Sequence, residues 1–207
     1  MFLRVTGFKS DPDKLEQSIT YIRDEVLPAM AQVPGCLGGT VIVNREKSQG
    51  AASTLWESLE AMNKAEQAGM QSREGASKRT GAEIIDVDRF EITLFEIPSE
   101  PKEPPGYSRL IMAYGDPASA DAANEMLREQ LPVVKQQKGF RAFAAGINRA
   151  TGRAFTMSSW DSPEDREASN AALEPFRERI RQSANLYGLQ VDLVETVVTQ
   201  IAIPTTA

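Results

Sequence analysis

The side chains of this sequence best suited to holding and polarising a small molecule come in pairs with a constant spacing. Trp56 and Trp160 stand 104 residues apart, as do Asn44-Arg45 and Asn148-Arg149. An indole can stack on a flat ligand while its N–H donates one hydrogen bond. An amide can polarise a quinone or phenol oxygen, and a guanidinium can stabilise a phenolate or an enolate. Trp56, Trp160, Asn44 and Asn148 are therefore the candidate catalytic residues. Arg45, Arg149 and Tyr114 are the candidate substrate-binding residues. Each also has a structural reading. A tryptophan two places before a helix cap fixes how the chain enters the helix. An asparagine at a turn entrance bonds its own backbone and leaves the next arginine in water. A tyrosine at a strand end is a boundary residue with a solvated hydroxyl.

Two absences narrow the chemistry. The 207 residues contain no histidine and one cysteine, Cys36. That excludes an intrachain disulfide, a Ser-His-Asp triad, a zinc site built from His or Cys and a His-ligated haem. Neither a metal nor a cofactor is expected. Cys36 lies opposite Phe140 in the repeat and reads as a small core residue. Asp88 and Asp192 read as turn or edge residues. A net charge of −6 argues against nucleic acid or an anionic membrane as partner. No apolar run has the length of a membrane span. The start, MFLRVTGFKS, lacks the apolar core of a secretory signal, so the cytoplasm is the expected location.

The elements that must position these residues occur twice. A shift of 104 makes nine of the forty positions from Leu27 to Glu66 identical, against roughly two or three by chance. Phe2 to Phe8 and Arg109 to Tyr114 read as first strands. Asp11-Pro12 and Asp116-Pro117 open helices, each with an acid at the cap and proline at the first position. Leu15, Ile19, Ile22, Val26 and Met30 form one apolar stripe. Pro28 and Pro132 are expected to bend or stop their helices. A hairpin follows in each copy, and then a second helix capped by Ser58 or Ser162. Gly69 and Gly75 are expected to break the first copy's second helix. Long strands end both copies, and the proline-rich stretch 99–106 reads as a stiff linker. The fold class is therefore α+β: two β-α-β-β-α-β, ferredoxin-like domains at 1–98 and 107–207, packed as one pseudo-dimeric barrel.

The helix ending in Leu-Pro, the Pro34-Gly35 exit, the hairpin and the run Trp56-Glu57-Ser58-Leu59-Glu60-Ala61 resemble the antibiotic biosynthesis monooxygenase family of the dimeric α+β barrel superfamily. The match is best from Leu27 to Ala61 and weaker from Leu131 to Asp165. That family usually builds its barrel from two chains; here one fused chain would supply both halves, with a further homodimer open. Members often carry a histidine about eight residues after the tryptophan, where this chain has Lys64 and Ala168. The haem-degrading branch needs an iron-ligating histidine. The cofactor-free branch draws its reducing power from the substrate and needs none. The resemblance thus implies a cofactor-independent monooxygenase acting on a planar aromatic or quinol-like molecule, with Trp56 or Trp160 positioning it. The alternative is a non-catalytic small-molecule-binding or stress-associated barrel protein. One copy can hold the working pocket while the other serves as scaffold.

Overall fold

The computed structural model describes residues 1–97, 102–183 and 185–202. The expected linker is therefore described only from Lys102 onward, and residues 99–101 lie outside the described residues.

The chain forms two compact units. The first comprises Met1–Arg89 with the residues from Thr196 onward, and the second Phe90–Glu195. In the first, β1 (Phe2–Lys9) pairs antiparallel with β3 (Gln49–Trp56), which pairs with β2 (Cys36–Asn44). The crossover from β1 to β2 is helical: α1 (Leu15–Tyr21), a π turn (Ile22–Val26) and α2 (Leu27–Ala31). After β3 come α3 (Leu59–Lys64), α4 (Glu66–Thr80) and β4 (Glu83–Glu96). The second unit repeats the order. β5 (Gly106–Tyr114) leads to α5 (Ala120–Lys135), then β6 (Phe140–Asn148), β7 (Arg153–Trp160), α6 (Pro163–Ala168), α7 (Asn170–Ser183) and β8 (Tyr187–Ile201).

The strand order β1-β3-β2-β8-β5-β7-β6-β4 closes as an eight-stranded barrel, the architecture expected from two β-α-β-β-α-β halves. β4 and β8 each begin in one unit and end in the other. Their length is the reason. At about 3.3 Å per residue a strand of fourteen residues spans roughly 46 Å, well beyond the eight-residue ladder that β1 makes with β3. Among the described residues no helix is long and apolar enough to cross a membrane.

Two local expectations need correction. Gly69 and Gly75 lie inside a continuous α4, and the break falls before it, at Ala65. Gly69 is there for space: a Cβ at that position would sit 2.6 Å from the Arg4 guanidinium. Pro132 lies inside the last turn of α5 and does not end it, whereas Pro28 follows the π turn at the start of α2. The helix caps Ser58 and Ser162 hold, accepting from the N–H groups of Ala61 and Asp165. Asp116 caps its turn through Ala118 N–H, but Asp11 turns away to pair with Lys14.

The π turn records a difference between the copies. Strand pairing sets Phe2 opposite Trp56 and Tyr107 opposite Trp160. First strands therefore correspond at an offset of 105, while everything from Leu27 to the second helix corresponds at 104. The first copy carries one extra residue between, and a π turn is the way a helix absorbs a single insertion.

Candidate functional site

Three cross-strand rows form the helix-facing floor of the second unit. Arg109 of β5 pairs with Ser158 of β7, which pairs with Phe143 of β6; Ile111, Thr156 and Ala145 form the next row, and Ala113, Ala154 and Ile147 the third. Successive strand residues alternate faces, so these three rows point to one side. α5 and α7 lie over them and leave a cavity of about 540 Å³ lined by all nine. That volume suits a small organic ligand. Leu189, Val191 and Leu193 of β8 line it too, and each is close to half exposed, an apolar edge that a ligand would cover. Buried polar groups are few. Gln130 is 4% exposed, and its amide lines the cavity with no hydrogen-bond partner among the described residues; Asn124 and Ser158 are also without one. No cluster of three or more His, Cys, Asp or Glu side chains that could hold a metal occurs among the described residues.

Arg109, Glu167, Glu174, Arg177, Glu178 and Arg181 are the charged residues lining this cavity, and Arg109 is the one of them that is buried, at 4% exposed. Its Nη2 donates to the Arg166 carbonyl (2.7 Å) and its Nη1 to Ser169 Oγ (3.3 Å), at the end of α6. Three of its five N–H donors have no protein acceptor among the described residues. No described carboxylate lies within ion-pair distance. Burial, reinforced by Arg177 and Arg166, pushes its pKa down to about 10, which leaves it charged at neutral pH.

The first unit shows the same guanidinium neutralised. Arg4, the counterpart of Arg109, donates to Glu66 Oε2 at 2.8 Å, and Glu66 also pairs with Arg73 (3.0 Å) and Arg89 (2.7 Å). Burial raises the Glu66 carboxyl, but Arg89, Arg4 and Arg73 outweigh it, and the net shift is downward. Glu66→Gln is expected to destabilise the chain by about 2 kcal/mol. Breaking a fully buried pair costs roughly 3–5 kcal/mol, and the one-third exposure of Glu66 screens part of that. Because its folded pKa is depressed, this contribution is full above the unfolded carboxylate value of about 4.3 and disappears as pH falls through the folded one. Urea unfolding of both proteins at pH 7 and at pH 3 checks this, since the difference should be smaller at pH 3 than at pH 7.

Side-chain volume explains why one copy is open. The first unit's third row is Phe8, Gly50 and Val43, and Phe8 is 2% exposed in a core with Leu15, Ile19 and Ile22. The corresponding residues in the second unit are Ala113, Ala120, Asn124 and Leu127, three of them smaller or polar. The space left in the first unit is about 60 Å³.

None of the seven residues nominated from the sequence lines either cavity. Trp56 and Trp160 are fully buried, one row beyond the arginines: Arg4 stands 5.5 Å from the Trp56 ring and Arg109 5.2 Å from that of Trp160. An indole there can orient the guanidinium but cannot stack on a ligand. Trp56 Nε1 donates to Thr54 Oγ1, whereas Trp160 Nε1 is buried without a partner among the described residues. Asn44 and Asn148 cap their turns, accepting from Lys47 N–H and from Ala150 and Thr151 N–H. Asn44 does share a face with Thr40 and Ile42, but the helix-facing residues of β2 are Gly39, Val41 and Val43, so that face is the wrong one. Arg45 pairs with Glu16, and Arg149 with Glu91 and Asp121, all exposed. Tyr114 alternates away from Ala113 and stacks on Tyr187, ring centres 5.8 Å apart. Cys36 is half-buried, and burial pushes its thiol pKa up.

Arg109 and Gln130 went unnoticed in the sequence. The signal existed: Arg4-x-Thr6-x-Phe8 and Arg109-x-Ile111-x-Ala113 place an arginine in the apolar phase of a strand twice. A gapless shift of 104 hides it, because these strands are offset by 105.

No family model matches the chain. An uncharacterized protein of Mycobacterium tuberculosis, Rv2557, is 24% identical over 179 residues, covering 83% of this chain and 78% of that protein. Among solved structures, an anthrone oxidase-like protein superposes with a TM-score of 0.70 at 19% identity, covering 97% of this chain and 93% of its own. A candidate monooxygenase from Fusobacterium nucleatum gives 0.71 at 13% identity, covering 95% and 92%. A Listeria monocytogenes ferredoxin-fold protein related to antibiotic biosynthesis monooxygenases gives 0.57 at 11% identity, covering 96% of each chain. The chain thus shares the fold of these proteins, an eight-stranded α+β barrel made of two β-α-β-β-α-β halves in one polypeptide.

Proposed function

We propose that this chain is a monooxygenase-like protein that binds a planar, largely apolar small molecule in its second unit and oxidises it without a cofactor. The observation that carries the reading is Arg109, a buried guanidinium with no carboxylate within ion-pair distance among the described residues, in a largely apolar cavity of about 540 Å³. A lone buried cation is costly unless something anionic meets it. A phenolate or enolate oxygen would do so. The likeness in fold to an anthrone oxidase-like protein supports the same class of substrate.

The chemistry asks little of the protein beyond holding an anion in a dry site. A substrate C–H gives its proton to water, and the anion that remains is held with its oxygen toward Arg109. That anion reduces molecular oxygen, a C–O bond forms, and protonation yields a hydroperoxide. The O–O bond then breaks as the same carbon loses its second hydrogen as a proton. Substrate CH₂ and O₂ have become C=O and H₂O.

Oxygen uptake by the purified, chelator-treated protein on anthrone- and naphthol-type phenols is the test. The expected result is one O₂ consumed per carbonyl formed, faster at pH values where the phenol ionises. Tight binding of these compounds with no uptake would make the protein a binder rather than an oxygenase.

A further inference from the structure

The two units hold the same arginine frame around different centres. In the first unit Arg4 and Arg73 close on the carboxylate of Glu66, at 2.8 and 3.0 Å, and Arg89 reaches it from β4. In the second unit Arg109 and Arg177 stand at the corresponding positions, with Asn170 at the place of Glu66 and Leu193 at the place of Arg89. Asn170 and Leu193 both line the large cavity. Asn170 Oδ1 still accepts from Arg177 at 3.0 Å, so the side chain at 170 points as Glu66 does, but it brings no charge to Arg109. The Glu66 carboxylate and the Arg89 guanidinium have no counterpart, and Arg177 pairs with Glu174 at 2.7 Å instead. Glu167 and Glu174 act on the buried Arg109 only from beyond ion-pair distance, so among the described residues no carboxylate meets it directly.

We infer that the ligand's anionic group takes in the second unit the place that the Glu66 carboxylate holds in the first, so that the side chain at position 170 sets the charge class of ligand the cavity accepts. This rests on the cavity being a ligand site, as proposed above. The first unit then displays, with an internal carboxylate, the coordination that the second reserves for an external one. A carboxylate at 170 would reach Arg109 and Arg177 as Glu66 reaches Arg4 and Arg73, satisfy the lone cation and repel an anionic ligand. Asn170 is thus a specificity residue that acts by leaving Arg109 unpaired.

Two fluorescent probes of similar shape separate charge from apolar fit: 8-anilinonaphthalene-1-sulfonate, which is anionic, and N-phenyl-1-naphthylamine, which is neutral. Wild type, Asn170→Glu and Asn170→Gln are titrated with each. The wild type should bind both. Asn170→Glu should weaken the sulfonate at least tenfold and leave the neutral probe within about twofold, which also reports an intact cavity. Asn170→Gln, equal in size to Glu but uncharged, should bind both as the wild type does. Undiminished sulfonate binding by Asn170→Glu overturns the inference, as does an equal loss in Asn170→Gln, which would make size the determinant. A wild type that binds only the neutral probe overturns the anionic head group. Binding of neither probe overturns the ligand-site reading itself.

Discussion

Arg109→Met is expected to lower oxygen uptake on ionisable aromatic substrates by a factor of roughly 100 or more, with the fold retained. Removing one preorganised donor from a developing oxyanion typically costs a factor of 10²–10³, and here the lost group is a charged one in an apolar cavity. The stability cost should be modest. Arg109 gives two hydrogen bonds to the end of α6 and stands over Trp160, contributions of about 1 kcal/mol each. Against this, the substitution removes a buried charge that no described carboxylate meets within ion-pair distance. Arg4→Met removes the charge that holds Glu66 from within, so it should cost more than Arg109→Met while leaving oxygen uptake unchanged. Urea unfolding and oxygen uptake measured on both variants check the pair of expectations. Wild-type uptake by a folded Arg109→Met protein would remove Arg109 from the mechanism.

Ala113→Phe should close the cavity and abolish ligand binding, while Phe8→Ala should destabilise the chain by roughly 3–5 kcal/mol. Both follow from the third cross-strand row. Phe8 fills that row in the first unit against Gly50 and Val43, and Ala113 leaves it open in the second against Ala154 and Ile147. Deleting a buried phenylalanine side chain loses its transfer free energy and leaves a void that its neighbours fill only in part. The opposite change places a ring where the structure already has space, so overpacking strain should be small. The check is binding of the neutral naphthylamine probe to Ala113→Phe, together with the urea midpoint of both variants. A cavity that still binds after Ala113→Phe would mean the ligand lies wholly over the Arg109 row.

Much of this molecule is legible along the chain. The 104-residue repeat, the order of strands and helices, the Ser58 and Ser162 caps and the closed α+β barrel all rest on local signals or on self-similarity. Patterns of period 2 and 3.6, a serine before an acidic first turn and a Gly after a Pro each act within a few residues. Inferences that needed one residue's surroundings fared differently. Trp56 and Trp160 are the most conspicuous chemical groups of the repeat, yet they are buried behind the arginines rather than facing a ligand. Asn44 and Asn148 serve their turns. Gly69 breaks no helix, because it exists to admit Arg4 from a strand more than sixty residues earlier.

The sequence by itself determined that there are two copies of one β-α-β-β-α-β unit and that they share an architecture, since those properties are written in spacing. Only the tertiary structure decided which copy is open and which charge is left alone. Those depend on Ala113 of β5 lining the same cavity as Ala120 and Asn124 of α5, and on an asparagine at 170 where the first unit has Glu66. The residues concerned are single substitutions: Ala113, Ala120 and Asn124 stand 105 positions after their counterparts, and Asn170, about sixty residues further along, stands 104 after its own. Cavity volume and the balance of buried charge are sums over neighbours in space, and adjacency in the chain does not reveal them.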